Sequence, residues 1–274
     1  MFETIKKEWQ AKVAVGYFLL ISLWWAYNQF VIGADKLKYD TFFDVGEFYG
    51  YIAIWGALWG ISIAKKWGGA KSLVGKATYM FSFGLLAQEF GQLAYAWYND
   101  IYKTAGPYPS LGDVGYFGSI ILYTFGVIYL AQASGIKINI RLFAKKIQSI
   151  VLPISMLLLG YFLFLQGYTF DWSNPIKIFL DFGYPLGQAF YISLAILTYL
   201  LSKGVLGGVM KNRVLFILVA LFMQFLSDYT FLYQSSKGTW TVGGINDYMY
   251  FISYMLMTIA VIQLKTVYEQ LRST

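Results

Sequence analysis

Apolar residues run along the chain in eight blocks, at about 13–32, 46–64, 77–97, 114–133, 147–166, 179–201, 214–232 and 248–264. Each is close to the ~20 residues that a helix rising ~1.5 Å per residue needs to cross ~30 Å of hydrocarbon. Charges or helix breakers separate the blocks, for example Gly68-Gly69, Gly106-Pro107-Tyr108-Pro109, Asn174-Pro175 and Gly207-Gly208. The pattern predicts an all-α integral membrane protein of eight transmembrane helices, spans 1 to 8.

Basic residues sort onto alternate loops. The N-terminus, the loops around Lys65 to Lys76, Lys137 to Lys146 and Lys203 to Arg213, and the tail with Lys265 and Arg272 hold 16 of the 21 lysines and arginines. The other loops hold Lys36, Lys38, Lys103, Lys177 and Lys237. By the positive-inside rule both termini are expected on the cytoplasmic side. The inner side then sets 16 basic residues against Glu3, Glu8 and Glu269, and the outer half sets five against the remaining 11 acids. The basic rim reads as topology and contact with the lipid bilayer, and no nucleic-acid binding is expected.

Polar positions repeat as well. Phe42-Phe43-Asp44-Val45-Gly46-Glu47-Phe48-Tyr49-Gly50 returns as Phe179-Leu180-Asp181-Phe182-Gly183-Tyr184-Pro185-Leu186-Gly187, with Phe, Asp, Gly and Gly matched at an offset of 137. Gln29 meets Gln166 at the same offset, and slightly smaller offsets pair Gln88 with Gln224, Gln92 with Asp228, Asp113 with Asp247 and Tyr116 with Tyr250. A duplicated unit of four helices keeps its direction across the membrane. The repeat therefore predicts two parallel halves, 1–136 and 137–274, with a cavity between them.

Composition narrows the chemistry. Hydrophobic residues make up 58% of the chain and charged ones 13%, too apolar a balance for a water-soluble domain. Neither cysteine nor histidine occurs. Disulfides, ordinary zinc sites, histidine-ligated haem and every Ser-His or Cys-His device are thereby excluded, and no cofactor or metal is expected. The charged first 12 residues lack a cleavable signal pattern, so the first span is expected to stay attached. No lysine falls mid-span, which disfavours a retinal Schiff base. Ser110-Leu111-Gly112-Asp113 approaches the Gly-x-Gly-Asp of intramembrane aspartyl proteases but lacks its first glycine, so no enzymatic function is expected.

The candidate ligand or ion site therefore rests on carboxylates, amides and tyrosines. Asp44 and Glu47, spaced i, i+3, share a helix face and either bind a cation, share a proton, meet a lysine or simply suit the N-terminal dipole. Asp181 has Tyr184 where Glu47 would be, and Gln188 follows one turn on. Gln88 and Gln92 share a face of span 3, Gln224 and Asp228 the equivalent face of span 7, and interhelical hydrogen bonding competes with ligand binding for all four. Glu89, with Phe225 as its counterpart, is the most deeply placed acid and must be neutral, paired or wet. Asp113 and Asp247, with Ser110 and Asn246, either cap their helices or turn inward so that Asp44, Asp113, Asp181 and Asp247 ring an outward-facing vestibule. Tyr116, Tyr184 and Tyr250, together with Tyr95, Tyr98 and Tyr229, either line such a pocket or belong to packing and aromatic belts.

At Tyr184-Pro185-Leu186-Gly187 and Tyr108-Pro109-Ser110-Leu111-Gly112-Asp113 the sequence resembles the multi-pass sensor-like membrane modules at the N-termini of many prokaryotic histidine kinases and diguanylate cyclases. In that family Tyr-Pro-Leu-Gly-Asp and Tyr-Pro-Ser-x-Ala-Asp stretches open successive helices. This chain has Gln188 and Gly112 in place of the usual Asp and Ala, and about ten residues follow span 8. The resemblance implies an input module without its own output domain, acting on a signalling partner in the cytoplasm or membrane. Three functions follow in order: a sensory or ligand-binding module for a small ligand or cation, a transporter or channel, and a structural subunit of a membrane assembly.

Overall fold

A computed structural model describes residues 2–32, 48–102, 107–134, 148–202, 209–241 and 243–273. Asp44 and Glu47 lie outside the described residues, so the first copy of the repeated motif is represented only by its end, Phe48 to Gly50. Among the described residues the only regular secondary structure is helix, with no strand. Its helices are α1 (Phe2–Lys7), α2 (Trp9–Tyr27, continued as a π turn Asn28–Ile32), α3 (Tyr51–Lys66), α4 (Leu73–Asp100), α5 (Leu111–Ala133), α6 (Gln148–Gly160, continued as a π turn Tyr161–Leu165), α7 (Pro175–Ser202), α8 (Val209–Lys237) and α9 (Ile245–Ser273). Three stretches, Leu111–Ala133, Asn212–Lys237 and Ile245–Arg272, are long and apolar enough to cross a membrane.

Local signals set where the helices begin. Ser110 caps α5 reciprocally: its Oγ accepts from the Gly112 amide at 3.1 Å, and Asp113 accepts from the Ser110 amide at 2.6 Å. The capping expected of this pair is present. Ser72 caps α4 by accepting from the Gly75 amide at 2.9 Å. Asn174-Pro175 separates spans 5 and 6 as expected, and it also starts α7. The Asn174 carboxamide accepts from the Lys177 amide at 3.1 Å, and proline occupies the first helical position, where its missing N–H costs nothing. The helix thus begins four residues before the expected 179, and Asp181 lies in its second turn.

Six helices pack in a closed cycle, each against the next: α3, α4, α5, α7, α8, α9 and back to α3. α4 also reaches α9 across the ring, α2 lies outside on α9 and α3, and α6 lies outside on α7. The tightest approach is between α4 and α5. A Cβ on Gly115 would stand 2.4 Å from the Ala87 carbonyl oxygen and 3.0 Å from the Cα of Gly91, so these backbones touch directly. Large apolar side chains face outward all round, among them Leu20 and Leu23 of α2, Leu58 of α3, Phe90 of α4, Phe125 of α5, Phe190 of α7 and Phe222 of α8. A surface of that kind is soluble only against lipid or another protein, and with the three long apolar helices it marks a membrane-associated protein.

Ion pairs gather at the end of the bundle that carries α1. Glu8, almost fully buried, accepts from Lys265 at 2.5 Å and from the Thr266 hydroxyl at 3.3 Å. Arg213 donates to Glu3 at 3.0 Å, and Gln270 donates to the same carboxylate at 2.7 Å. Four charged or polar groups thus tie the N-terminus beneath α8 and α9.

Candidate functional site

Helical spacing puts Gln88 and Gln92 one turn apart on α4, and Gln224 and Asp228 one turn apart on α8. All four are buried in the ring. Around the first pair the hydrogen bonds close a circuit. Tyr116 donates to the Gln92 oxygen at 2.8 Å, the Gln92 amide donates to Tyr254 OH at 3.4 Å, and Tyr254 donates to the Gln88 oxygen at 3.3 Å. The Gln88 amide donates to Ser119 at 2.6 Å, whose hydroxyl returns to the Tyr116 carbonyl at 2.7 Å. Each group gives and takes once, which suits amides and hydroxyls in a low-dielectric interior.

The second pair makes an acceptor centre. Asp228 receives three donors: the Gln188 amide at 2.6 Å, Tyr250 OH at 2.8 Å and the Gln224 amide at 3.0 Å. Ser253 in turn donates to the Gln224 oxygen at 2.5 Å. The two clusters meet at α9, where the rings of Tyr250 and Tyr254 lie 6.0 Å apart. One polar layer therefore joins α4, α5, α7, α8 and α9. Two of its links recur between matched positions: Gln88–Ser119 with Gln224–Ser253, and Gln92–Tyr116 with Asp228–Tyr250.

The remaining candidates sit apart from that layer. Asp113, besides capping α5, accepts from Tyr184 of α7 at 2.7 Å. Asp181 accepts from Tyr108 at 2.8 Å and from Tyr168 at 2.7 Å. The Asp181 carboxylate and then burial push Tyr168 up to about 12, and burial and then Asp181 hold Tyr108 well above the ordinary tyrosine value, so both hydroxyls stay donors at neutral pH. Asp247 accepts from the Gly243 amide at 2.6 Å, at the same third position of its helix that Asp113 occupies in α5. The Gly243 carbonyl receives Trp25 and Gln29 from α2 at 2.9 and 2.8 Å. Asp113 and Asp181 thus each bind a tyrosine from another part of the chain, while Asp247 holds the start of its own helix.

Glu89 differs from every other acid among the described residues. It is 2% exposed, and neither carboxyl oxygen has a hydrogen-bond partner. Its carboxyl end lies against Gly50, the residue before α3, where a Cβ would come within 1.8 Å of Oε2.

Tyr254, Ser119 and Ser253 were not expected in the site. The two serines carry a readable signal, since their spacing equals the 134 residues between Asp113 and Asp247. Tyr254 carries none, being one tyrosine among 24. Among the described residues no three acidic, histidine or cysteine side chains gather as a metal site. No family model, curated protein or solved structure matches the chain.

Proposed function

We propose that the chain is a multi-pass protein of the cell membrane, with eight spans in a parallel 4+4 duplication and both termini cytoplasmic, acting as a non-enzymatic sensory or ligand-binding module. Its ligand is a small molecule or cation met from the outer side, and its output passes to a cytoplasmic or membrane partner. The observation that carries this reading is the polar layer. Five helices of the ring are tied through side chains whose hydrogen bonds can exchange donors, so a ligand that takes over one partner shifts several helices together.

The helix cycle supports the duplication. Exchanging α3, α4 and α5 with α7, α8 and α9 maps each neighbouring pair of the ring onto another neighbouring pair. The two recurring hydrogen-bond links follow the same exchange. The resemblance to sensor-like modules of kinases and cyclases adds to this reading.

Transport is the alternative, and the unpartnered Glu89 is what favours it. Against it stands an apolar plug on the α1 side of the layer, where Phe81, Tyr123, Val127, Tyr191, Ile192, Ile217 and Leu221 are all fully buried. A transported solute would have to displace that whole tier.

Because the chain has no cysteine, single cysteines report directly on topology and access. A cysteine at Ser173 should react with a membrane-impermeant maleimide from outside intact cells, and one at Lys12 only after permeabilisation. A cysteine at Tyr116 or Tyr250 should be slowly but measurably labelled from outside. Complete protection of both, with Ser173 labelled, would overturn the outward-facing site.

A further inference from the structure

A buried carboxyl with neither oxygen bonded asks for an explanation, because ionised carboxylates enter low-dielectric surroundings only with a partner. Among the described residues, the elements packed around Glu89 offer none. Tyr17 of α2 and Tyr254 of α9 lie within electrostatic range, and Tyr51 opens α3 alongside. Tyr17 donates to the Phe48 carbonyl, and Tyr254 donates to Gln88. Gln88 and Gln92 are committed to Ser119, Tyr116 and Tyr254. Among the described residues every ion pair involving lysine or arginine lies at the α1 end, none at Glu89.

A metal ion does not fit this place. Hard cations take about six or more oxygen ligands, whereas here a single carboxyl faces a glycine backbone. An organic cation does not fit either, since Gly50 packs against the carboxyl within van der Waals contact. A proton needs no further ligand and no volume.

We propose that Glu89 is a proton-binding site coupled to the start of α3. In the conformation seen here the carboxyl carries a proton and packs, neutral, against Gly50. Losing that proton to outer water leaves a carboxylate that must reach solvent, and the turn Phe48 to Gly50 has to move for it to do so. The inference rests on the sensory reading above and deepens it by naming the ligand: the solvent proton.

The test uses the full chain in lipid nanodiscs and infrared difference spectroscopy between neutral and alkaline pH. A protonated carboxylic acid gives a carbonyl stretch that disappears on ionisation. The band should be present in the wild type and in Asp228→Asn, and absent in Glu89→Gln. Gly50→Ala, which forces the carboxyl off its seat without altering the acid, should also lose the band at neutral pH. A band unchanged by Glu89→Gln overturns the proton site, and the cysteine labelling then still decides the sensory reading.

Coupling has its own readout. Amide exchange over residues 48–54, corrected for intrinsic rate, should rise several-fold on alkalinisation in the wild type and stay flat in Glu89→Gln. Flat exchange in both, with the band assigned to Glu89, overturns the coupling and the sensory role built on it.

Discussion

Asp228 separates two accounts of the polar layer, one in which its charge matters and one in which its acceptor geometry does. Three donors converge on it, from Gln188, Gln224 and Tyr250. Asp228→Leu leaves all three without an acceptor in a dry interior. At the average of about 0.6 kcal/mol for an interhelical hydrogen bond in a membrane, the links to α7 and α9 alone come to about 1 kcal/mol, to which the Gln224 bond within α8 adds. At about 2 kcal/mol for each buried donor left unmet the loss approaches about 6 kcal/mol. Asp228→Asn is milder. Its oxygen keeps Gln224 and Tyr250, and its NH2 faces Gln188, whose own side-chain oxygen lacks a partner. Rotating the Gln188 amide turns that oxygen toward the new donor, so the expected cost is about 1 kcal/mol. Unfolding in mixed micelles, followed by the fluorescence of the nine tryptophans, measures both variants. Equal destabilisation by Asn and Leu would refute the argument, because it would mean that the charge, and not the set of acceptors, organises the layer.

Three further outcomes are expected. Ser110→Ala should cost about 1 kcal/mol through loss of the α5 cap, seen as faster amide exchange confined to the first turn of that helix. Gly115→Ala should cost about 1–3 kcal/mol in the same unfolding assay, because its Cβ meets Ala87 and Gly91 backbone that cannot step aside, whereas Gly118→Ala, with open space around it, should not. Lys7 first, and Arg213 after it, hold the Glu3 carboxyl below its ordinary value near 4.5. Its contribution is therefore complete above that value and fades as pH falls through the lower folded one, so acidification should release α1, read as amide exchange over residues 2–7, and Glu3→Gln should be released already at neutral pH.

What the sequence made legible follows the range of the forces involved. The apolar blocks at 114–133, 214–232 and 248–264 reappear inside α5, α8 and α9, because some 20 residues of transfer free energy outweigh any local detail. The Ser110–Asp113 cap was legible too, since both partners lie within four residues. Asn174-Pro175 separates its spans as expected, and only the helix start was placed four residues late, because the same two residues break a helix that precedes them and start one that follows. The polar layer was legible in half. Repeat matching picked out Gln88, Gln92, Gln224 and Asp228, but Tyr254, the shared partner of Gln88 and Gln92, is fixed only by the rotation of α9 against α4. That Gly50 would seat the Glu89 carboxyl depends in the same way on how α3 meets α4.

The two proposed halves differ where their hydrogen bonding demands it. On the α4 side Gln92 must accept from Tyr116 and also donate to Tyr254, which an amide does and a carboxylate does not; an ionised acid there would turn two acceptors on each other and open the circuit. On the α8 side the three side chains bonded to Asp228 all donate, so a carboxylate meets them as they stand, whereas an amide requires the Gln188 side chain to turn over. The halves therefore share the links Gln88–Ser119 and Gln224–Ser253 while dividing the work at 92 and 228. The first half carries its acid three residues earlier, at Glu89, where the second has Phe225. One half thus holds an acid that is fully engaged and the other an acid that is not, and under the proposed orientation and sensory reading the second kind is the one that outer pH would act on.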